Sequence, residues 1–391
     1  MPTVVGQLGG VDLYAWVFSA YLLSSTASVL VYGRLADLYG RKRMFLVATG
    51  TFLVGSALCG IAQSMPQLIA FRFLQGLGAG GVYPIVLTII GDAFPLDARA
   101  RLMGVLAAIW GVSALIGPAI GGFLTEQISW RWAFYVNLPL SLLAMVLVAR
   151  SVQEHISPRN DPLVPLGLLK VRTIAVGTLN RLLVGVVLFG QTSFVPPLLQ
   201  GVLGGSPTQA GLALAATSLG WPLASHVSGR MLLRWGYRGV GVVGSVLLVL
   251  GFGALLLVRS ETSLIVAALI MAVIGAGFGF VTPVTLLSMQ NAVAWQRRGI
   301  VTGVSQFASN VGGTLGIALA GALFTSGLHL DVSDLLAPER RAALAPDQLA
   351  MLRSTLAQAL EPVYWVFLIA AVLALVAMAL QPSGPSASEV T

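Results

Sequence analysis

The fold is decided by the stretch Gly33-Arg34-Leu35-Ala36-Asp37-Leu38-Tyr39-Gly40-Arg41-Lys42-Arg43. This short basic loop separates two apolar runs, each long enough to cross a membrane as a helix of about 20 residues. A degraded copy lies further along the chain, where Gly229 and Gly236 repeat the seven-residue spacing of Gly33 and Gly40. A membrane loop that occurs twice predicts a duplicated helical bundle.

The composition places the chain in a membrane. Of its 391 residues, 57% are hydrophobic and 9% are charged, whereas a soluble domain carries about 25% charged residues. The alternating short strands of a membrane barrel are not found in the sequence. We therefore predict an all-α integral membrane protein of the cell (plasma) membrane, surrounded by the lipid bilayer.

Apolar runs predict eleven membrane spans, at residues 12–32, 44–63, 68–91, 102–123, 132–150, 173–199, 208–229, 239–258, 263–288, 300–326 and 362–381. Most Lys and Arg residues fall in loops on one side, which the positive-inside rule makes cytoplasmic. The net charge of +8 is explained by this distribution, so we expect no nucleic-acid partner.

The same reading divides the chain into two bundles. We expect an N-terminal bundle at 1–150, a cytoplasmic linker at 151–172, a C-terminal bundle at 173–381 with an external loop at 328–361, and a disordered tail at 382–391. Short amphipathic helices on the outer surface are predicted by the spacing of Leu335, Ala342, Leu344, Leu349, Leu352 and Leu356.

The repeat also fixes a register. Gly76 and Pro84 match Gly275 and Pro283 at an offset of 199 residues, and the two loops match at an offset of 196. On that register, the counterpart of the span 173–199 ends near residue 3. The expectation is a twelve-helix protein of two pseudo-symmetric bundles, of which the first helix is missing here.

Four stretches resemble the major facilitator superfamily. The opening loop is similar to the signature between its second and third helices. The superfamily's fourth-helix pattern is resembled by Leu68-x-x-x-Arg72-x-x-Gln75-Gly76, and its fifth-helix pattern by Gly111-x-x-x-x-x-Gly117-Pro118-x-x-Gly121-Gly122. The stretch Ser129-Trp130-Arg131-Trp132 resembles the EmrB/QacA multidrug antiporters. The resemblance implies a transporter, not an enzyme.

The loop itself has two interpretations. The resemblance implies a cytoplasmic latch between the halves, formed by Gly33, Asp37, Gly40, Arg41 and Lys42. Glycine at the loop permits close approach and a chain reversal. The alternative is that the basic residues only orient the protein.

Arg72 lies inside an apolar span, where a charge is costly and normally functional unless it reaches the surface. The resemblance implies a role in proton coupling, with Gln75 one turn away sharing its hydrogen bonds. For Arg181 we expect the other outcome, a side chain that extends to the cytoplasmic surface.

The small residues of the fifth span favour close helix packing, and Pro118 bends the helix. The resemblance implies that this glycine-rich helix is a hinge that seals the transport pathway, as it does in antiporters. Other residues either line a central cavity or bond and anchor helices: Trp110, Gln191, Trp221, Gln306 and Asn310.

The energy source is inferred by exclusion and resemblance. The sequence has no nucleotide-binding Gly-x-x-x-x-Gly-Lys-Ser/Thr loop and no spacing typical of a metal site, so we expect no metal or cofactor. None of the fourteen acidic residues falls in the middle of a span. The resemblance places the coupling carboxylate in the first helix, and the proton gradient as the energy source.

The sequence therefore predicts a proton-coupled, alternating-access exporter of small amphipathic compounds. We expect a monomer. Two alternatives remain open: an exporter for one metabolite or antibiotic, and a truncated membrane protein that does not transport.

Overall fold

The computed structural model describes residues 2–93, 102, 109, 112–113, 116–117, 120–152, 166–293 and 298–382. Its helices are α1 (Pro2–Leu8), α2 (Tyr14–Tyr39), α3 (Arg41–Ile61), α4 (Met65–Ala93), α5 (Trp132–Tyr135), α6 (Asn137–Ser151), α7 (Arg172–Pro197), α8 (Pro207–Leu255), α9 (Leu264–Asn291), α10 (Arg298–Gly327), α11 (Ser333–Leu336), α12 (Pro338–Ala342) and α13 (Pro346–Ala379). Residues 120–127 are also helical, and the described backbone forms no strand. The all-α prediction is confirmed.

Within the described residues, eight helical segments are long and apolar enough to span a membrane: Arg41–Ile61, Met65–Val86, Trp132–Ser151, Arg172–Val202, Arg234–Leu255, Leu264–Asn291, Ile300–Gly327 and Pro346–Ala379. Of the three other predicted spans, 12–32 lies mainly in α2 and 208–229 in the first part of α8, whereas 102–123 falls largely outside the described residues.

The outer end of the last helix differs from the prediction. Helix α13 begins at Pro346, not near residue 362, because Pro362 lies inside a continuous helix. Leu352 and Leu356, predicted to lie on short surface helices, are instead buried in the first turns of α13. Two short helices, α11 and α12, do lie in the predicted external loop, whereas the leucines from Leu349 onward belong to α13.

The packing of the helices repeats as the sequence does. A Cβ on Gly80 would lie 2.1 Å from the carbonyl oxygen of Ser25, and a Cβ on Gly279 would lie 2.3 Å from that of Trp221. Ser25 and Trp221 occupy equivalent positions at the offset of 196. In the same way, the close approach of Gly76 to Tyr21 corresponds to that of Gly275 to Thr217. The approach of Gly78 to Ala48 corresponds to that of Gly277 to Gly244. Through these contacts, α4 packs on α2 and α3 in the same way that α9 packs on α8.

Each basic loop turns at its second glycine. Gly40 has φ 95° and ψ 148°, and Gly236, which kinks α8, has φ 65° and ψ 179°. Glycine alone adopts such backbone angles readily. Gly33 instead continues α2, so the reversal that the loop glycines permit is made at Gly40.

One helix in the N-terminal part is poorly covered. Helix α6 has no buried residue, and Leu143 and Leu147 are exposed. Its equivalent by chain order, α13, packs against α7, where Asn180 donates a hydrogen bond to the carbonyl oxygen of Ala374. Within the described residues, the face of α6 lacks the partner that α13 has.

Candidate functional site

Arg72 is half-buried in the bundle and is bound there by neutral groups. Its Nη1 donates to Oε1 of Gln75 at 2.7 Å, and its Nε donates to the carbonyl oxygen of Val17 at 3.3 Å. The guanidinium carbon lies 3.9 Å from the ring centroid of Tyr21, within cation–π range. Arg72 therefore points towards α2 and is hydrogen-bonded to Gln75, its predicted partner one turn away.

The Arg72 contacts continue across three more elements. Gln75 Nε2 donates to Ser56 Oγ at 3.0 Å, and Ser56 Oγ donates to the carbonyl oxygen of Phe134 at 2.9 Å. Asn137 Nδ2 also donates to that oxygen, at 3.3 Å. Sequence reasoning missed Ser56, which is a small residue in an apolar run, and did not give Asn137 a role.

The predicted latch is described in part. Gly40 forms the turn between α2 and α3, and Arg41 is buried beside it. The structure does not describe the side chain of Asp37. Of Gly33 it describes only the backbone, which is part of α2. The structure therefore shows how the loop turns, and the latch stays a prediction.

The predicted antiporter helix is also described in part. A Cβ on Gly122 would lie 2.6 Å from the carbonyl oxygen of Pro207, at the start of α8. No described atom lies within 4 Å of a Cβ on Gly117 or Gly121. Gly111, Pro118 and the predicted cavity residue Trp110 lie outside the described residues.

The remaining predicted cavity residues differ in exposure. Gln306 is exposed and donates to Asn310 on the next turn of α10, at 2.9 Å. Trp221 stacks on Phe278 with a centroid separation of 5.4 Å, so much of its ring packs within the C-terminal bundle. Gln191 is buried, and its Oε1 accepts no hydrogen bond in the described structure.

Among the described residues, the contacts between the halves at the helix ends far from the basic loops include two junctions. At the first, Glu126 Oε2 accepts hydrogen bonds from the backbone nitrogen of Thr208 at 2.9 Å and from Ser206 Oγ at 3.0 Å. Ser206 also caps α8, so the carboxylate lies at the positive end of that helix. Sequence reasoning treated Glu126 only as a residue at a span end.

Glu126 is exposed, and its contacts favour the ionised form. The hydroxyl of Thr208 lies near the carboxylate without hydrogen-bond geometry. Together with the Thr208 amide and Ser206, it holds the pKa of Glu126 below its ordinary value, against a smaller opposing effect of burial. Among the described residues, no charged group contributes to this shift.

The second junction is aromatic. The ring of Tyr14, at the start of α2, lies 5.9 Å from that of Phe194 on α7 and 6.2 Å from that of Phe324 on α10. Thr325 Oγ1 donates to the carbonyl oxygen of Asp12 at 3.3 Å. Tyr14 is buried at this junction, so the outer ends of α2, α7 and α10 are closed against one another.

Comparison with known proteins identifies the family. The model of the Major Facilitator Superfamily matches residues 1–317. The chain belongs to the Major Facilitator Superfamily. It is 31% identical to the multidrug transporter protein MdtP of Bacillus subtilis (strain 168), over 86% of this chain and 73% of that protein. Members of the superfamily are transporters, so the prediction of a multi-pass membrane transport protein is confirmed.

The chain is also similar to a transporter of a biosynthesis cluster and to a solved transporter structure. The chain is 37% identical to the acurin A biosynthesis cluster MFS-type transporter of Aspergillus aculeatus, over 48% of this chain and 33% of that protein. The crystal structure of the nucleoside transporter NupG matches 97% of this chain and 93% of its own, with a TM-score of 0.69 and 14% identity. That likeness shows the fold alone.

Proposed function

We propose that this chain is a secondary exporter of small amphipathic compounds, similar to the EmrB/QacA antiporters, which works by alternating access and exchanges its substrate for protons. The observation that carries the proposal is the pair of outer junctions between two bundles of repeated packing. The multidrug relative supports the substrate class.

The outer junctions suit one state of an alternating-access cycle. Side chains and backbone meet there without a covalent link, at Glu126 with Thr208 and at Tyr14 with Phe324. Such contacts are weak enough to break and reform when two rigid bundles rock about a central site. We propose that the structure corresponds to the state that is closed on the outer side.

Arg72 is the candidate for proton coupling. It is the one cation of α4, and the groups that bind it are all neutral. A fixed guanidinium lowers the pKa of any carboxyl that approaches it. We propose that Arg72 in this way controls when a coupling carboxylate releases its proton.

Dye export from cells tests the proposal. Cells that make the protein should accumulate less of an amphipathic dye than cells that make the Arg72→Ala variant, and a protonophore should remove the difference. Equal insertion of both proteins in the membrane is the control. Unchanged accumulation across a broad dye panel would contradict multidrug export.

A second candidate function is export of one metabolite. The 37% identity to a transporter whose name places it in the acurin A biosynthesis cluster favours it. A narrow exporter should move one compound and leave a chemically mixed dye panel untouched, which separates it from the multidrug proposal. A protein that is inserted but moves no compound in either assay would be the non-transporting alternative.

We also propose that a helix equivalent to α7 covers α6 in the working transporter. The exposed leucines of α6 and the covered state of its equivalent α13 support this. A Leu143→Cys variant tests it, since the native Cys59 is buried. A covered face would protect the new thiol from a lipid-soluble maleimide, and rapid labelling would contradict the proposal.

A further inference from the structure

The C-terminal bundle holds a buried cation without a counter-charge among the described residues. Arg181, on α7, is 7% exposed, so the predicted extension to the cytoplasmic surface is wrong. Its Nε and Nη1 are buried and make no hydrogen bond in the described structure. Removing a charge from water without pairing it is costly, and an ionisable residue inside a membrane usually marks a functional position.

The surroundings of Arg181 are closely packed and neutral. Gly177 and Gly185 lie one turn before and after it on the same face of α7. A Cβ on Gly177 would meet the side chain of Met289 on α9 at 2.4 Å, and a Cβ on Gly185 would meet the backbone of Ser309 on α10 at 2.0 Å. Arg181 therefore lies on the face of α7 that is turned towards α9 and α10.

The neighbouring amide of Asn180 is already engaged. Asn180 donates to the carbonyl oxygen of Ala374 and accepts from the hydroxyl of Thr285, at 3.0 and 3.1 Å. Both of its side-chain polar atoms thus have partners. The guanidinium of Arg181 keeps donors that no nearby amide satisfies.

Carboxylates do not supply the missing charge within the described structure. The seven acidic residues with described side chains are all exposed: Asp12, Glu126, Glu261, Asp331, Asp334, Asp347 and Glu361. In the other bundle, Arg72 is bound only by neutral groups. Both bundles therefore carry a fixed positive charge in their interior, which attracts anions and repels cations.

We propose that the exported compounds are amphipathic anions, and that Arg181 binds their carboxylate, sulfonate or phenolate group. This inference rests on the proposed export function. A guanidinium presents a planar fork of donors that matches an oxyanion, and such charge-assisted hydrogen bonds are stronger than neutral ones. The rest of the substrate would contact the apolar walls of the bundles.

A charge-matched set of probes tests the inference in proteoliposomes. The probes are a monoanionic fluorescein dye, its neutral methyl ester and a rhodamine monocation. The wild-type protein should transport the anion faster than the cation. Arg181→Gln should lower anion transport by about tenfold or more, as expected when one partner of a desolvated charge pair is removed, and should leave the ester little changed. Arg181→Lys should restore part of the anion transport.

Two controls separate the outcomes. Arg230→Gln removes an exposed cation of α8 and should change none of the three rates. In detergent, the fluorescein dye should raise the melting temperature of the wild-type protein and of Arg181→Lys, but not that of Arg181→Met.

A cation preference would overturn the inference, as would an equal loss for all three probes in Arg181→Gln. If no probe is transported, the export proposal fails, and the melting-temperature shift alone decides the anion site. A shift that persists in Arg181→Met would overturn that site.

Discussion

Glu126 accepts a hydrogen bond from the backbone amide of Thr208, at 2.9 Å, across the boundary between the two halves. The residues lie 82 positions apart in the sequence, on the segment 120–127 and at the start of α8. Ser206 joins the same carboxylate oxygen. One side chain of the N-terminal half thus binds the N-terminus of a helix in the other half, and this contact must break if the outer side opens.

Replacing Glu126 should favour the open outer side. Glu126→Gln keeps the shape but removes the charge, and a carboxylate at an exposed helix N-terminus contributes about 0.3–1 kcal/mol. The ratio of open to closed molecules should rise by about two- to fivefold. Distances between spin labels at Gln127 and Gln209, both exposed, in a Cys59→Ser background would measure it. Glu261→Gln, another exposed acid, is the control and should leave the distances unchanged.

The same contact should be insensitive to pH near neutrality. The Thr208 hydroxyl and the hydrogen bonds from the Thr208 amide and Ser206 lower the pKa of Glu126. The stabilisation is therefore complete above the ordinary pKa and is lost as the pH falls through the lowered one. Between about pH 6 and pH 8 the carboxylate remains ionised. The spin-label distances should stay constant over that range and lengthen only in stronger acid. A transition close to neutrality would show that another group controls the opening.

Equivalent glycines in the two halves should be equally intolerant of a methyl group. A Cβ on Gly80 or Gly279 would approach a backbone carbonyl oxygen to 2.1 or 2.3 Å, and overpacking of this kind costs about 1–3 kcal/mol. Gly80→Ala and Gly279→Ala should therefore both lower the melting temperature in detergent.

Gly253→Ala is the matched control for these two variants. No described atom lies within 4 Å of its Cβ, and alanine is favoured over glycine inside a helix by about 0.5–1 kcal/mol. This variant should leave the melting temperature unchanged or raise it. Destabilisation by only one of the two glycine variants would contradict equivalent packing in the halves.

The turn glycines should resist substitution for a different reason. Gly40 and Gly236 have backbone angles that cost other residues about 1–3 kcal/mol, so Gly40→Ala and Gly236→Ala should destabilise the protein. Gly229→Ala provides the comparison, since Gly229 lies within helix α8 with no described atom within 4 Å of its Cβ. Thermal unfolding of the three variants checks the prediction, and equal melting temperatures would contradict it.

Arg72 should need its geometry as well as its charge. Arg72→Lys keeps the positive charge but cannot reproduce both the bond to Gln75 and the bond to the Val17 carbonyl. We expect this variant to lose most dye export while reaching the membrane normally. Gln75→Ala should lose less, because the Val17 and Tyr21 contacts remain. Full export by Arg72→Lys would leave only an electrostatic role.

The sequence predicted the fold well because the strongest physical signals were local. Apolar runs fix the helices, and the spacing of Gly33, Gly40, Gly229 and Gly236 exposed the duplication. The sequence did not predict that the last helix begins at Pro346. A helix that extends beyond the membrane becomes more polar at the surface, but its backbone hydrogen bonds continue.

The candidate site was less predictable, since its contacts join residues distant in sequence. Arg72 and Gln75 are one turn apart and could be paired from the sequence alone. Ser56 and Phe134 join them only through the packing of α3 against α5. Arg181 was expected at the surface because its distance from the helix end allowed it, and only the close packing of Gly177 and Gly185 shows that it is buried.

Proton-driven export can be measured as transport into proteoliposomes. The protein is oriented with its basic loops outward, the lumen is made acidic, and uptake of amphipathic dyes is followed together with lumenal pH. We expect dye accumulation that is coupled to proton efflux. A protonophore should abolish both, and both should be absent in Arg72→Ala. Dye movement that is the same with and without the pH gradient would contradict it.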